Sequence, residues 1–418
     1  MASVPMDGRL KIEASANPAA LIIRWYGTRY TLRVPSRWPF TAHEVRLAQV
    51  IGDVLAARAK AILDPRMIAD RGDLFRGLIE DRYIGAFLDR KRYAIEARTA
   101  RADRIASIIE LLRVAALSSY ENRPISTGVL LLDSLEDPAR PVGAVAPSAP
   151  TYAELMTSTK SVYRLADGVR TVFLANAEGR LLDIVDIERW GRQACLDQEL
   201  QVPCAQAFAP HAKATLLQSH VCAVLSPSRE IKIFAQGAEL FTFRGAGWHL
   251  LDLHSKYRMW ADAVGNHRLA LCIFHAALDL ADAREGALFL VAREPDEAVA
   301  QLVAPADRLD VPAPRTGKVP SRQEMLHLLE GRAMTDLDGS VLAALASLDG
   351  AMVTDRRGRL LAAGAILRHP PGDDLQPGGL VEGARTTAAM AASRFGPVLK
   401  VSEDGIITFF DGDRVWDI

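Results

Sequence analysis

The sequence predicts an α/β protein, and three observations carry that expectation. Toward the C-terminus, short apolar runs fold back across a glycine turn: Ala351 to Thr354, the turn Asp355-Arg-Arg-Gly358, then Arg359 to Leu367. Elsewhere lie blocks at helical spacing. Residues 102–117 place Ile105, Ile108, Ile109, Leu112 and Ala115 on one face. The chain has 418 residues and is 49% hydrophobic and 24% charged, which supplies packed cores for two or three domains.

The first region, 1–136, reads as α+β. Residues 1–19 carry no strong pattern. Leu21 to Tyr26, Gly27-Thr28 and Arg29 to Val34 read as a hairpin. Thr41-Ala-His-Glu44 is a capping box that opens a helix. Helical blocks follow over about 73–97 and 102–117. Gly128 to Asp133 is a buried-strand candidate, and 137–150, rich in Pro and Ala, reads as a linker.

The middle region, 151–260, parallels the C-terminal one. Val172 to Leu182 matches Met352 to Leu361 and shares the string Gly-Arg-Leu-Leu. Val224-Leu-Ser226 followed by Ile231 to Phe234 matches Lys400-Val-Ser402 followed by Ile407 to Phe410, with helix-compatible residues 213–220 before it. Either the middle is a degenerate copy of the C-terminal fold, or strand-turn-strand units coincide. A copy would put Arg170-Thr171-Val172 where the C-terminal region has Asp349-Gly350-Ala351. Residues 248–263 read as a helix joining the middle to the last domain, 262–418.

Composition narrows the function. A net charge of −1 offers no field for nucleic acid or anionic lipid, so neither is expected as a partner. The four cysteines, Cys195, Cys204, Cys222 and Cys272, form no C-x-x-C pair. Their low density fits a reducing compartment. The N-terminus has no secretory pattern and no apolar run reaches the ~18 residues of a membrane span, so the expectation is a soluble, cytoplasmic protein. The P-loop, nucleophile-elbow, H-E-x-x-H and G-x-G-x-x-G patterns are all absent. His211, His220, His249 and His254 lack metal-ligand spacing.

Within 262–418, polar residues gather at the joints of apolar elements. Asp349-Gly350 precedes a strand. Gly383 and Arg385 precede a helix rich in small residues, for which Thr386 or Thr387 is the expected cap. Such a helix start presents free N–H groups to phosphate, and Arg385 adds a charge-assisted contact. Ser402, Glu403 and Asp404 follow the strand Val398 to Val401. Lys400 reads as solvent-facing, and His369 stands beside the loop Pro370 to Gly379. An acid, a helix tip and a second acid suit metal–nucleotide chemistry.

The order Asp349-Gly350-Ala351, then Gly383-x-Arg385-x-x-Ala-Ala, then Val401-Ser402-Glu403 resembles the diadenylate cyclase (DAC) domain family. The resemblance reaches back to Leu269–Asp282, similar to that domain's first helix, and to Gly286–Glu294, similar to its first core strand. It implies a mixed central sheet flanked by helices. Family members join two ATP molecules into cyclic di-AMP with Mg²⁺ or Mn²⁺ across a face-to-face dimer. The resemblance makes Asp349 and Glu403 metal ligands, and Asp349, Gly350 and Ala351 the catalytic motif. Gly383, Arg385, Thr386, Thr387 and Ser402 become nucleotide contacts. Two places depart from the family pattern: Leu348 stands where a His is usual, and Arg385-Thr386-Thr387 stands for Arg-His-Arg. The expectation is therefore a diadenylate cyclase-like nucleotidyltransferase with an N-terminal regulatory region. The alternative is a nucleotide-binding sensor that has lost turnover.

Overall fold

The computed structural model describes residues 10–17, 19–33, 39–89, 91, 93, 101–133, 149–158, 160–195, 198–216, 218–309, 326–368 and 383–418. Residues 137–148 of the expected linker, His369 and the loop Pro370 to Gly379 lie outside them. The chain divides into two compact units, 1–202 with 208–252, and 203–207 with 253–418.

In the first unit the capping box forms as expected. The Thr41 hydroxyl accepts from the Glu44 N–H, and the Glu44 carboxylate accepts from the Thr41 N–H, opening the helix Ala42–Leu63. The hairpin Ala20–Trp25 and Thr28–Arg33 gains a third strand, Lys11–Ala14, from the stretch that carried no pattern. Lys11-Ile-Glu-Ala14 alternates polar and apolar, but over only four residues, the shortest run in which that pattern can be read. The block expected over 102–117 appears as the helix Arg101–Ala116, whereas that expected over 73–97 is cut to a 3-10 turn, Gly72–Phe75, and the helix Ile79–Leu88, with residues 90, 92 and 94–97 outside the described ones.

The main sheet of this unit has seven strands. Their order is Gly247–Leu250, Ala238–Arg244, Ile231–Ala235, Val221–Leu225, Thr127–Leu131, Thr171–Ala175 and Leu181–Asp186. Thr127–Leu131, buried throughout, is therefore interior to a sheet whose other strands come from the middle region. Its parallel pairing with Thr171–Ala175 requires a crossover, so the chain through 137–150 connects two strands of one sheet. Two further expectations are corrected. Trp248 belongs to a strand, because Gly245 and Ala246, both at positive φ, make a two-residue hairpin turn that pairs Arg244 with Gly247. The joining helix begins only at Leu253. The helix expected over 213–220 is Ala209–Ala214.

The second unit holds a six-stranded mixed sheet. The order is Leu360–Ala365, Ala351–Asp355, Ala287–Ala292, Val398–Val401, Ile407–Asp411 and Asp413–Asp417. Only Ala287–Ala292 and Ala351–Asp355 run parallel. The helix Ala384–Ala392 covers Leu288, Leu290, Val398 and Phe410 through Ala389 and Ala392. The helix His267–Ala283, capped by Asn266, precedes the first strand.

The two sheets share one topology. Thr127–Leu131 corresponds to Ala287–Ala292, and every later strand follows in the same order and direction, the first unit adding Gly247–Leu250 at its edge. Two turns agree in detail. Asn176 Oδ1 accepts from the N–H groups of Glu178 and Arg180, as Asp355 Oδ1 does from those of Arg357 and Arg359. Ser226 and Ser402 each close a five-residue turn, with the hydroxyl bonded to the backbone of Glu230 and Ile406 respectively. The first unit therefore contains a second copy of this fold. The copy begins earlier than the sequence parallel showed, with the helix Arg101–Ala116 in the place of His267–Ala283.

Candidate active site

The site forms at one end of the second unit's sheet, where Ala287–Ala292 and Ala351–Asp355 begin and Val398–Val401 ends. Three sequence stretches meet there. The helix Gly339–Ala346 stops at Ser347, and Leu348-Asp349-Gly350 leads into Ala351–Asp355. Gly350 has φ +114°, and a Cβ on it would stand 2.5 Å from the Gly364 carbonyl oxygen. Only glycine fits that entry. It leaves the Asp349 side chain 92% exposed at the sheet's end.

Arg385 lies in the first turn of the helix Ala384–Ala392. Its Nη1 donates to Glu403 Oε1 at 2.9 Å, and its Nη2 stands 3.7 Å from Asp349 Oδ1. The structure thus brings Asp349, Arg385 and Glu403 together. Glu403 is 73% exposed, and both carboxylates face solvent beside one guanidinium. Gly286, just before the first strand, makes room for this contact: a Cβ there would lie 2.0 Å from Arg385 Nη1. From the sequence, Gly286 reads only as the start of a strand. A glycine directly before a buried run is the signal that marks such a close approach.

The remaining expected residues divide. Gly383 is the N-cap, with no side chain to cap the helix. The threonines are therefore not caps, as expected from the sequence, but sit inside the first turn. The N–H groups of Thr386 and Thr387 both bond to the Gly383 carbonyl, at 2.8 and 3.3 Å. Glycine takes the N-cap position without a side-chain oxygen, and the helix starts two residues before Thr386. Ala351 is buried in its strand. The Ser402 hydroxyl is engaged in its own turn, accepting from the Ile406 N–H at 3.2 Å and donating to the Ile406 carbonyl at 3.3 Å. It holds Glu403 at the turn's corner. The Asp404 carbonyl accepts from Arg284. Lys400, expected to face solvent, is half-buried, and its Nζ donates to Thr386 Oγ1 at 2.8 Å.

The electrostatic character is that of a mixed cluster: two carboxylates, Arg385, Lys400 and an uncapped helix start. Among the described residues no three His, Cys, Asp or Glu side chains converge as a metal cage. Two exposed carboxylates fit Mg²⁺ when phosphate oxygens and water complete the shell, which is how that ion is usually held. A cavity of about 370 Å³ lies toward the opposite end of the strands, among Pro295, Arg308, Glu330 and Arg359, away from this cluster. His211 and His220, both buried in the first unit, bond to Gly168 O and the Asp133 N–H and are structural.

Comparisons with known proteins add little to this geometry. No family model matches the chain, and no curated protein matches it. Among solved structures it is similar to a hypothetical membrane-spanning protein from Bacillus cereus, at 19% identity and TM-score 0.24, covering 39% of this chain and 74% of that one. It is also similar to a double mutant of DacA from Staphylococcus aureus, at 22% identity and TM-score 0.22, covering 36% and 87%. At such TM-scores neither likeness bears on what the cluster does. Among the described residues no helix is long and apolar enough to cross a membrane.

Proposed function

We propose that the second unit binds ATP with Mg²⁺ or Mn²⁺ and acts as a diadenylate cyclase-like nucleotidyltransferase. The observation that supports this most is the meeting of Asp349, Arg385 and Glu403, from three distant stretches, beside an uncapped helix start. The resemblance of the three motifs to the DAC family names the reaction. The 3′-hydroxyl oxygen of one ATP attacks the α-phosphorus of another. An O3′–P bond forms, the bond to pyrophosphate breaks, and the hydroxyl proton passes to solvent. Repetition in the opposite sense closes the ring of cyclic di-AMP.

Each side chain has a part in that scheme. Asp349 and Glu403 would be the oxygen ligands for a metal, whose charge would polarise the α-phosphate. Arg385 and the N–H groups of its helix neutralise phosphate oxygens as charge builds. Both ATP molecules must be aligned, so two chains pair with their sites facing. ATP as substrate implies a cytoplasmic protein, with the first unit in a regulatory or scaffolding role.

The test is incubation of the full chain with ATP and Mn²⁺ or Mg²⁺, with the product identified by mass. Cyclic di-AMP is expected, and Asp349→Asn should lower the rate by about a hundredfold or more. A second reading, a nucleotide-binding sensor without turnover, is favoured by the uncharged Thr386 and Thr387 and by Leu348. Saturable ATP binding with no product would establish it in place of the first.

A further inference from the structure

The cavity of about 370 Å³ in the second unit lies against the edge strand Leu360–Ala365. Two short segments pair with that edge. Arg308 bridges Ala362, and the Leu309 N–H donates to the Leu361 carbonyl at 3.0 Å. Ala333 bridges Arg359, and the Leu360 N–H donates to the Arg332 carbonyl at 3.0 Å. Val299, Leu309, Leu360 and Leu361 give the cavity its apolar lining. Its volume is within the roughly 300–1,000 Å³ of small-molecule sites. Two guanidiniums line it as well. Arg308 Nη2 donates to the carbonyls of Val299 and Val303, at 3.1 and 3.4 Å, where the helix Pro295–Leu302 ends. That clasp fixes the side chain. Its Nε is buried without a hydrogen-bond partner, and among the described residues the half-buried guanidinium has no carboxylate beside it. Arg359 Nε donates to Asp355 Oδ2 at 3.3 Å, and its two terminal nitrogens have no partner among the described residues. A partly dehydrated cation without an ion pair is costly until an anion joins it.

The first unit builds the same edge and engages its arginine. Its string Gly179-Arg180-Leu181-Leu182 answers Gly358-Arg359-Leu360-Leu361. Thr151 bridges Arg180 as Ala333 bridges Arg359. The Leu181 N–H donates to the Pro150 carbonyl as that of Leu360 does to Arg332, and the Tyr152 N–H to the Gly179 carbonyl as that of Met334 does to Gly358. In this register Ala149 stands where Gly331 stands. Arg180 Nη1 donates to the Ala149 carbonyl at 2.9 Å, whereas the terminal nitrogens of Arg359 leave the Gly331 carbonyl alone. The sheet edge therefore accommodates an arginine turned onto the backbone, and the second unit instead keeps the guanidinium at a cavity.

We infer that this cavity binds a small organic monoanion, a carboxylate on a compact apolar body. Arg308 and the terminal nitrogens of Arg359 donate to the carboxylate, whose planar shape suits a guanidinium. Val299, Leu309, Leu360 and Leu361 cover the body. Asp296 and Glu330, both exposed, also line the cavity, so its four charged side chains sum to zero. A single negative charge is matched by the arginines, whereas a phosphate dianion or a triphosphate would meet the two acids as well. The strand Ala351–Asp355 runs between this cavity and the cluster at Asp349, so that Asp349 and Asp355 are separated by about 20 Å of extended chain. The two sites are distinct, and this one stands whether or not the cluster binds nucleotide.

The experiment titrates the full chain by calorimetry with isocaproate. Isohexyl alcohol is its neutral isostere, leucine its zwitterionic amino derivative, and inorganic phosphate the competing anion. Isocaproate should bind saturably, and about tenfold or more tighter than the alcohol, the scale of one charged hydrogen bond. Arg359→Met should remove most of that difference, and so should Arg308→Met. The Arg359 side chain is 60% exposed, so its variant should keep the wild-type melting temperature. Arg308→Met also loses the helix clasp, and its melting temperature separates a folding defect from a binding one. Asp349→Asn should bind isocaproate as wild type does. The inference fails if isocaproate does not saturate, binds no tighter than the alcohol, or is indifferent to Arg359→Met. Tighter binding of leucine or phosphate overturns the class of ligand assigned. Loss of isocaproate binding in Asp349→Asn would mean that the probe reads the nucleotide cluster, which also overturns the inference, whereas a chain that fails to bind ATP leaves it intact.

Discussion

At the scale of single residues, two glycines frame the candidate site in opposite ways. At Gly350 the backbone is at φ +114° and the obstacle is the backbone of Gly364. Gly350→Ala should destabilise the fold by about 1–3 kcal/mol or more, read as a lower urea midpoint. At Gly286 the obstacle is the far end of Arg385. Gly286→Ala should leave the midpoint nearly unchanged and displace the guanidinium, weakening a non-cleavable ATP analogue by about tenfold in a calorimetric titration. A third residue acts through pH. Burial holds His211 down at about 4, against about 6.5 when unfolded, even though its Nε2 bonds to Gly168 O. The folded state accepts only the neutral ring, so stability is complete above about pH 6.5. It is lost as pH falls from there toward 4, by at most about 1.4 kcal/mol per unit. His211→Gln should flatten this part of the stability–pH curve relative to wild type, and an unchanged slope would exclude His211 as its source.

At the scale of elements, the turns were the most legible part of the sequence. Asp355-Arg-Arg-Gly358 announces itself because the Asp carboxylate bonds forward and Gly358 takes φ +91°. The first unit makes the same turn with a neutral Asn176. Asp355→Asn should therefore cost little, about 0.5 kcal/mol, whereas Asp355→Ala should cost about 1–2 kcal/mol by stranding two N–H groups. Thermal unfolding of the two variants distinguishes these outcomes. Three edge strands were not legible: Lys11–Ala14, Gly247–Leu250 and Asp413–Asp417 are short, and their pairing is decided by distant partners or by the turn before them. The start of the helix Ala384–Ala392 was misread because threonine is a good cap in isolation and Gly383 offers no side chain to betray the true one. The three stretches that meet at the candidate site were legible, since each sits at a joint. Lys400 was not: a lone lysine in a four-residue strand looks like an exposed position until the helix is laid over that face.

At the scale of the whole chain, a duplicated fold carries one set of site residues. The correspondence of strands is complete from Thr127–Leu131 onward, yet Arg170, Val224 and Pro227 stand where Asp349, Lys400 and Glu403 stand in the second unit. An arginine in the place of Asp349 repels a metal ion, and proline in the place of Glu403 offers it no oxygen from a side chain. The proposed reaction needs two aligned ATP molecules, and on that proposal one chain supplies one site. Saturating calorimetry should therefore find one ATP analogue per chain, with none held by the first unit. Activity per chain should fall on dilution, as the pairs separate. Mixing wild type with Asp349→Asn should lower the activity per wild-type chain, since a mixed pair aligns one competent site with one that lacks its metal ligand. Two analogues per chain, or activity indifferent to both dilution and mixing, would mean that the first unit's copy supplies the partner site and that its substitutions are compatible with nucleotide binding.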